Sequence, residues 1–244
     1  MKITTLPFAG SVLPKDINDK AVVVIDVLRA TSTIITALMH GAKQIIPVVD
    51  IKNAFDLKKQ YSPGEVLLCG ERDARIIPDF DLGNSPLEYT TEKVQGKTLI
   101  VSTTNGTKTI GAVGQAKELL LASFINAGAI AKRFQNQQEM VLFCSGTNGY
   151  FSIDDAFCAG YIASLIEKTT AIEACDLTRT LIIAWENSIE QYSSIIKNCF
   201  HGKYLISKGF EQDVDYCLQI NLTEMIPGYD SHSQSISILR QATY

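Results

Sequence analysis

Short runs of apolar residues, many of them β-branched, recur along the first two-thirds of the chain. They predict buried strands at 21–25, 44–49, 65–69, 98–102, 118–122 and 140–144. Amphipathic segments between these runs predict helices at 32–41, 53–60, 106–116, 126–135 and 153–168. Strands that alternate with helices are typical of a mainly parallel sheet covered on both faces. The pattern therefore predicts a three-layer α/β/α fold.

The last third of the chain has a different pattern. Helical spacing of apolar residues predicts helices at 176–200, 201–208 and 212–220. The residues EMIPGYD, at 224–230, predict an edge strand. Residues 31–46 are weakly similar to residues 107–120, and each segment follows a hydrophobic strand. Two related strand–helix–strand units explain this similarity, and chance explains it about as well.

Size and composition favour a single α/β domain over residues 1–244. A chain of 244 residues with 46% hydrophobic content is long enough to bury a large core, and no low-complexity linker divides it. Residues 70–90 are rich in Pro, Gly and Asp and predict a long loop. Long ordered loops in α/β proteins tend to carry function.

The charge and the apolar runs exclude several classes of protein. A net charge of −4 argues against broad binding to nucleic acid or to a membrane surface, because both need a cationic face. No segment has about 18 uninterrupted apolar residues, and the first ten residues lack the apolar core of a signal peptide. The six cysteines include no C-x-x-C pair, which indicates buried free thiols. We therefore expect a cytoplasmic protein.

Polar clusters follow four of the predicted strands. They are DVLRAT (26–31), GERDAR (70–75), TTNGT (103–107) and SGTNG (145–149). The carboxyl ends of parallel strands lie at one edge of a sheet, which is where open α/β proteins bind ligands. We therefore expect the four clusters to converge.

Four carboxylates have the pattern of a metal site. Asp26 lies too far before the next helix to cap it, a role that Thr31 fills better. Glu71 holds the equivalent position after a second strand, while Asp154 and Asp155 lie in the first turn of a helix, where one of them is explained by capping. Because an all-oxygen site suits Mg²⁺ rather than zinc, we predict that these four carboxylates bind Mg²⁺.

Several common catalytic motifs are absent. There is no G-x-G-x-x-G or G-x-S-x-G, and GKT at 96–98 lacks the glycine that a P-loop requires. His40, His201 and His232 lie at a predicted helix end, a helix junction and the tail, and we expect none of them to be catalytic. Chemistry without histidine depends on carboxylates, a metal and arginine, which favours phosphoryl transfer.

Together these motifs resemble the 2-phosphosulfolactate phosphatase family. The resemblance rests on DVLRAT, GER, FDLGNSP (80–86), TTNGT and the frame S-x-x-D-x-x-x-A-G (152–160), in the family's order. It implies Mg²⁺-dependent release of phosphate from phosphosulfolactate, a step towards coenzyme M. The family pattern has SLED where this chain has SIDD, and glycines where this chain has Ala74 and Asp79.

An acidic protein that binds so anionic a substrate needs local cations and amides. We predict catalysis by Asp26, Arg29, Arg72 and Asp155. We predict substrate binding by the hydroxyls, amides and cations of Thr31, Arg75, Asn84, Ser85, Thr104, Asn105, Gly106, Thr107, Lys108, Thr147, Asn148 and Gly149. Taken singly, each TNG is an ordinary turn, and Glu71 with Arg72 is an ordinary surface ion pair.

Two mechanisms fit these residues. Either a metal-bound water attacks phosphorus in line, or Asp26 attacks and forms an aspartyl phosphate. We favour water, because Leu28 stands where a D-x-D pair would have its second Asp.

Other functions use the same residue types. One alternative is a non-catalytic sensor of a phosphorylated or sulfonated metabolite, which would need the anion site but gains little from four acids around it. A second alternative is a phosphosugar isomerase or mutase, which would release no inorganic phosphate. The apolar run LTRTLIIAW, at 177–185, is consistent with a homodimer interface and also with core packing.

Overall fold

The computed structural model describes residues 1–11, 17–114 and 116–239. Within them, 11 strands form one sheet in the order β5-β4-β6-β3-β11-β10-β7-β2-β8-β1-β9. The strands are β1 (Lys2–Leu6), β2 (Ala21–Ile25), β3 (Gln44–Pro47), β4 (Val66–Arg72), β5 (Arg75–Ile76), β6 (Thr98–Ser102), β7 (Glu118–Ala122), β8 (Glu139–Cys144), β9 (Glu173–Ala174), β10 (Pro227–Asp230) and β11 (Ser235–Ile238). The helices are α1 (Ala30–Met39), α2 (Ile51–Lys58), α3 (Thr91–Val94), α4 (Gly106–Val113), α5 (Ala127–Phe134), α6 (Ile153–Glu167), α7 (Asp176–Glu186), α8 (Tyr192–Asn198), α9 (Phe200–Ser207) and α10 (Glu211–Cys217).

The sheet has two parallel halves that run in opposite directions. Strands β4, β6 and β3 are parallel to one another, as are β7, β2, β8, β1 and β9. The hairpin β10–β11 joins the halves through three successive antiparallel pairings, so the direction reverses between β3 and β7. The prediction of one shared edge for all four polar clusters was therefore wrong, although the mainly parallel sheet was correct.

Two equivalent units cross between the halves. The unit β2-α1-β3 passes from one half to the other, and β6-α4-β7 passes back. Each half contains an equivalent run of three strands when the order is read towards the central hairpin: β4-β6-β3 in one half and β8-β2-β7 in the other. The two units are those that the similarity of 31–46 to 107–120 identified. Their crossing brings the amino termini of α1 and α4 together, even though β2 and β6 belong to opposite halves.

Both faces of the sheet are covered, which confirms the three-layer prediction. In β2, Val22 and Val24 pack into a core that includes residues of α1 and α4. Val23 and Ile25 face the other side and pack into a core with α5, α6 and α7. A strand buried on both faces explains the continuous apolar run at 21–25.

Some elements differ from their predictions. Strand β10 lies inside the sheet between β7 and β11, so its prediction as an edge strand was wrong. Strands β1 and β11 were not predicted, because neither contains a continuous apolar run of the kind that identified the other strands. The helix predicted at 106–116 ends at Val113, and the helix predicted at 176–200 divides into α7 and α8. Part of the predicted loop at 70–90 forms the end of β4 and its hairpin with β5.

Three further predictions concern thiols, membranes and assembly. All six cysteines are free and five are buried, as predicted. No helix in the described ranges is long and apolar enough to cross a membrane. In the apolar run at 177–185, Leu181, Ile182 and Trp185 are buried in the protein's own core, whereas Ile183 is exposed. The homodimer stays a prediction.

Candidate active site

A cavity of about 270 Å³ lies where the amino termini of α1 and α4 meet. Residues from all four polar clusters line it, together with the first turns of α9. The lining residues are Asp26, Leu28, Arg29, Ala30, Glu71, Asp73, Ala74, Asn84, Thr103, Thr104, Asn105, Gly106, Thr147, Asn148, Phe200, His201, Tyr204 and Leu205. The predicted convergence of the clusters is therefore present, although they do not share one edge of a parallel sheet.

Asp26 lies at the junction of the two crossing units. Its carboxylate accepts a hydrogen bond of 3.1 Å from the amide of Ala30, and burial raises the pKa of the Asp26 carboxyl to about 6. A Cβ on Gly106 would lie 2.5 Å from the Cβ of Ala30 and 3.0 Å from Oδ2 of Asp26, so only glycine allows α4 to approach this closely. The buried Thr31 hydroxyl donates to backbone carbonyls of Asp26 and Ala122, so it supports this turn and does not line the cavity.

Glu71 joins the end of β4 to the TTNGT loop. Its Oε1 accepts a 2.8 Å hydrogen bond from the amide of Thr104, and its Oε2 accepts a 3.0 Å bond from the amide of Ala74. Ala74 and Asp79 have φ of 60° and 64°, which is the left-handed region. Glycine adopts this region without steric strain, which explains why the family pattern has glycine at these two positions.

Asp154 and Asp155 are buried but neither lines the cavity. Asp155 accepts hydrogen bonds from the amides of Val27 (2.8 Å) and Gly146 (2.9 Å). Burial, with the nearby Asp154 and Asp26 charges, raises the pKa of Asp155 well above its usual value. Burial also acts to raise the pKa of Asp154, but interactions with His201 and Ser152 outweigh it and lower that pKa. Asp155 thus fixes the loops after β2 and β8.

The arrangement fits a smaller metal site than the predicted one. Within the described ranges, no group of three or more His, Cys, Asp or Glu side chains is placed to hold a metal ion. Asp26 and Glu71 both line the cavity, whereas Asp154 and Asp155 do not. Magnesium commonly takes one or two carboxylates and fills its other positions with water and substrate phosphate. The residues therefore fit Mg²⁺ at Asp26 and Glu71.

Of the four cations predicted for the site, one lines the cavity. This is Arg29, which is buried and pairs with Asp213. The Arg72 guanidinium instead donates to the carbonyls of Glu71, Ser102 and Val49 and to the Ser102 hydroxyl, so the structure gives it no contact with the cavity. Arg75 and Lys108 are exposed and lie outside the lining.

The two TNG turns contact each other across the cavity. The amide of Asn148 donates to Oδ1 of Asn105 over 3.3 Å. Asn148 and Gly149 have the positive φ that the turn predicts, whereas Asn105 has φ of −113°. The predicted residues that line the cavity here are Thr104, Asn105, Gly106, Thr147 and Asn148; Thr107 and Gly149 do not line it. In the GNSP turn, Asn84 lines the cavity, while Ser85 bonds to Asp213.

Sequence analysis excluded His201, yet this residue lines the cavity. Its Nδ1 lies 3.1 Å from the Thr147 hydroxyl and 3.6 Å from Oδ2 of Asp154. Burial acts to lower the pKa of His201, but Asp154 outweighs burial and raises it. A Cβ on Gly202 would lie 2.1 Å from the carbonyl oxygen of Ile196, so glycine is needed for α9 to pack where it presents His201. No local motif marks this histidine, because its partners come from distant segments.

Comparison with known proteins identifies the family of this chain. The family model described as 2-phosphosulpholactate phosphatase matches residues 9–232. The chain belongs to the 2-phosphosulfolactate phosphatase family. It is 43% identical over 229 residues to a probable 2-phosphosulfolactate phosphatase of Clostridium perfringens (strain SM101 / Type A), covering 93% of this chain and 92% of the relative. A protein of the same name from Carboxydothermus hydrogenoformans is 45% identical, with the same coverage, and one from Thermotoga maritima is 41% identical over 85% of this chain and 88% of the relative.

The family motifs surround the cavity. DVLRAT, GER, FDLGNSP and TTNGT each contribute lining residues, and the frame at 152–160 lies behind them. A 2-phosphosulfolactate phosphatase is a phosphomonoester hydrolase, so the family is one of phosphatases. The sequence analysis missed the contribution of α9 and α10, which supply His201, Tyr204 and Asp213.

Proposed function

We propose that this protein hydrolyses 2-phospho-3-sulfolactate to 3-sulfolactate and phosphate, with Mg²⁺ as its cofactor. Membership of the family and the names of its relatives support this substrate. The cavity supports it too, because an acidic pair, a guanidinium and the first residues of two helices, Ala30 and Gly106, surround a space suited to a small molecule.

The observation that carries the proposal is the charge of the cavity wall. Its described acidic side chains are Asp26, Glu71 and Asp73, whereas its basic side chains are Arg29, paired with Asp213, and His201, beside Asp154. A substrate with phosphate, sulfonate and carboxylate groups would be repelled by such a wall. A divalent cation held by Asp26 and Glu71 would convert this repulsion into attraction.

Each group at the cavity has a role in binding or orientation. Arg29 binds an oxyanion of the substrate, and Gly106, the first residue of α4, lines the same space. The Thr104 hydroxyl is buried and has no partner among the residues that the structure describes, so it can donate to a substrate oxygen. When bound, Mg²⁺ supplies positive charge to the phosphate oxygens.

Hydrolysis adds a water oxygen to phosphorus and breaks the ester P–O bond, and the leaving alkoxide takes a proton. We keep attack by water as the preferred path, with attack by Asp26 as the alternative. Rapid-quench capture of a hydroxylamine-sensitive phosphoenzyme would establish the alternative.

The test measures phosphate release from 2-phosphosulfolactate and other three-carbon phosphomonoesters, with Mg²⁺ or with EDTA. We expect release that is greatest with phosphosulfolactate, is lost with EDTA and returns with added Mg²⁺. Asp26→Asn should abolish it, while the surface variant Asp56→Asn, at a side chain 53% exposed, should leave it intact. Absence of release from every substrate would contradict the proposal and favour a sensor.

We also propose a cytoplasmic location, without binding to nucleic acid, and assembly as a homodimer. The net charge of −4 and the six free cysteines support the first two statements. Light scattering at two concentrations tests the dimer, and a mass of one chain at both would refute it.

A further inference from the structure

A buried ion pair connects the cavity to the C-terminal helices. The Arg29 and Asp213 side chains are 2% and 5% exposed, and Nη1 of Arg29 donates to Oδ2 of Asp213. The hydroxyl of Ser85 donates to the other carboxylate oxygen over 2.8 Å. The ring centre of Phe210 lies 4.1 Å from the guanidinium carbon. Arg29 therefore contacts both Asp213 of α10 and Phe210, the residue that precedes this helix.

This contact leaves part of the guanidinium available. Asp213 occupies Nη1, whereas Nε and Nη2 of Arg29 make no hydrogen bond with any residue that the structure describes. Nε and Nη2 form the edge with two parallel N–H groups, which matches two oxygens of a phosphate, sulfonate or carboxylate. Arg29 lines the cavity, so this edge is the one that an anionic substrate can use.

We propose that Asp213 is a positioning residue that holds Arg29 with its Nε–Nη2 edge ready for an oxyanion of the substrate, and that Ser85 fixes Asp213 in turn. The proposal rests on the proposed phosphatase function. A free arginine side chain populates many rotamers, and a displacement of about 1 Å at a binding group costs about 100-fold in rate. The pairing removes that freedom before the substrate binds.

The first test compares Asp213→Asn with Asp215→Asn in the full-length protein. Asp215 lies on the same helix, is exposed and pairs with Lys197, so it is a matched control. We expect Asp213→Asn to lower kcat/KM for phosphosulfolactate about 10- to 100-fold, mainly through KM, and Asp213→Glu to recover part of the loss. Ser85→Ala should have a smaller effect of the same kind. Thermal unfolding of each variant identifies losses due to misfolding alone.

A double-mutant cycle shows whether Asp213 acts through Arg29. In an Arg29→Ala background, Asp213→Asn should change kcat/KM by less than about twofold, because the group that it positions is absent. Added guanidinium should restore part of the activity of Arg29→Ala, and less of it when Asp213 is also Asn. The proposal is overturned if Asp213→Asn behaves like Asp215→Asn, or if its effect is as large without Arg29.

A binding measurement separates this proposal from the proposed function. If the wild type releases phosphate from no substrate, the function fails while Asp213 is still testable with inorganic phosphate in isothermal titration calorimetry. Tenfold weaker phosphate binding by Asp213→Asn than by the wild type supports positioning. Equal binding by the two proteins, or binding by neither, contradicts it.

Discussion

Replacing Gly106 by alanine puts a methyl group into the contact between α4 and α1. The new Cβ would lie 2.5 Å from Cβ of Ala30, 3.0 Å from Oδ2 of Asp26 and 3.2 Å from the Thr103 hydroxyl. Two carbon atoms in contact lie about 3.5 to 4.0 Å apart, so the helices must separate by about 1 Å. The atoms that must move include the carboxylate that we assign to the metal site.

Two opposing effects set the change in stability. Overpacking of a buried contact costs about 1 to 3 kcal/mol. Alanine is favoured over glycine within a helix by about 1 kcal/mol, and less in the first turn, where Gly106 lies. We therefore expect Gly106→Ala to lower the free energy of unfolding by about 0 to 2 kcal/mol. Activity should fall much further, by about 100-fold, because a displacement near 1 Å disrupts the alignment of reacting groups.

Gly111→Ala is the matched control on the same helix. A Cβ at Gly111 meets no atom within 4 Å, so this variant should keep full activity. Its free energy of unfolding should rise by up to about 1 kcal/mol, because alanine favours the helix more than glycine does. The assay is phosphate release with Mg²⁺, together with urea unfolding of both variants. Full activity in Gly106→Ala would refute the argument that the close approach of α4 to Asp26 forms the site.

Three further predictions follow from the site. Arg72→Ala should destabilise the protein by about 1 to 3 kcal/mol in urea unfolding, because four hydrogen-bond acceptors lose their donor. It should lower kcat/KM far less than Arg29→Ala does. An equal loss of activity in the two variants would support the catalytic role that the sequence predicted for Arg72. Asp155→Ala should lower the free energy of unfolding by about 2 to 4 kcal/mol, because the buried amides of Val27 and Gly146 lose their acceptor. Unchanged urea unfolding would show that other groups replace the carboxylate. Dialysis against EDTA should remove activity without unfolding the protein, because the described core does not depend on a metal cluster. Circular dichroism measures the folded state, and unfolding on chelation would contradict this prediction.

The sequence alone determined the local features of the fold. Four consecutive apolar residues in β2 predicted a strand buried on both faces, because alternate side chains of a strand point to opposite sides. The polar residues after the predicted strands at 21–25, 65–69 and 98–102 identified Asp26, Glu71 and Thr104, since strand ends in α/β proteins carry ligand sites. The family could also be recognised from ordered motifs, which are a property of the sequence.

Only the tertiary structure decided which of these groups meet at the cavity. Arg29 and Arg72 both follow predicted strands, at 21–25 and 65–69. Long-range pairing with Asp213 holds Arg29 at the cavity, whereas carbonyls and the Ser102 hydroxyl occupy Arg72. His201 depends on the close packing of Gly202 against Ile196, and Asp213 on a contact 184 residues away along the chain. A side chain's role in binding depends on which partners neutralise it and what space it faces. Those neighbours come from distant segments, whereas hydrophobic periodicity reports only on residues a few positions apart.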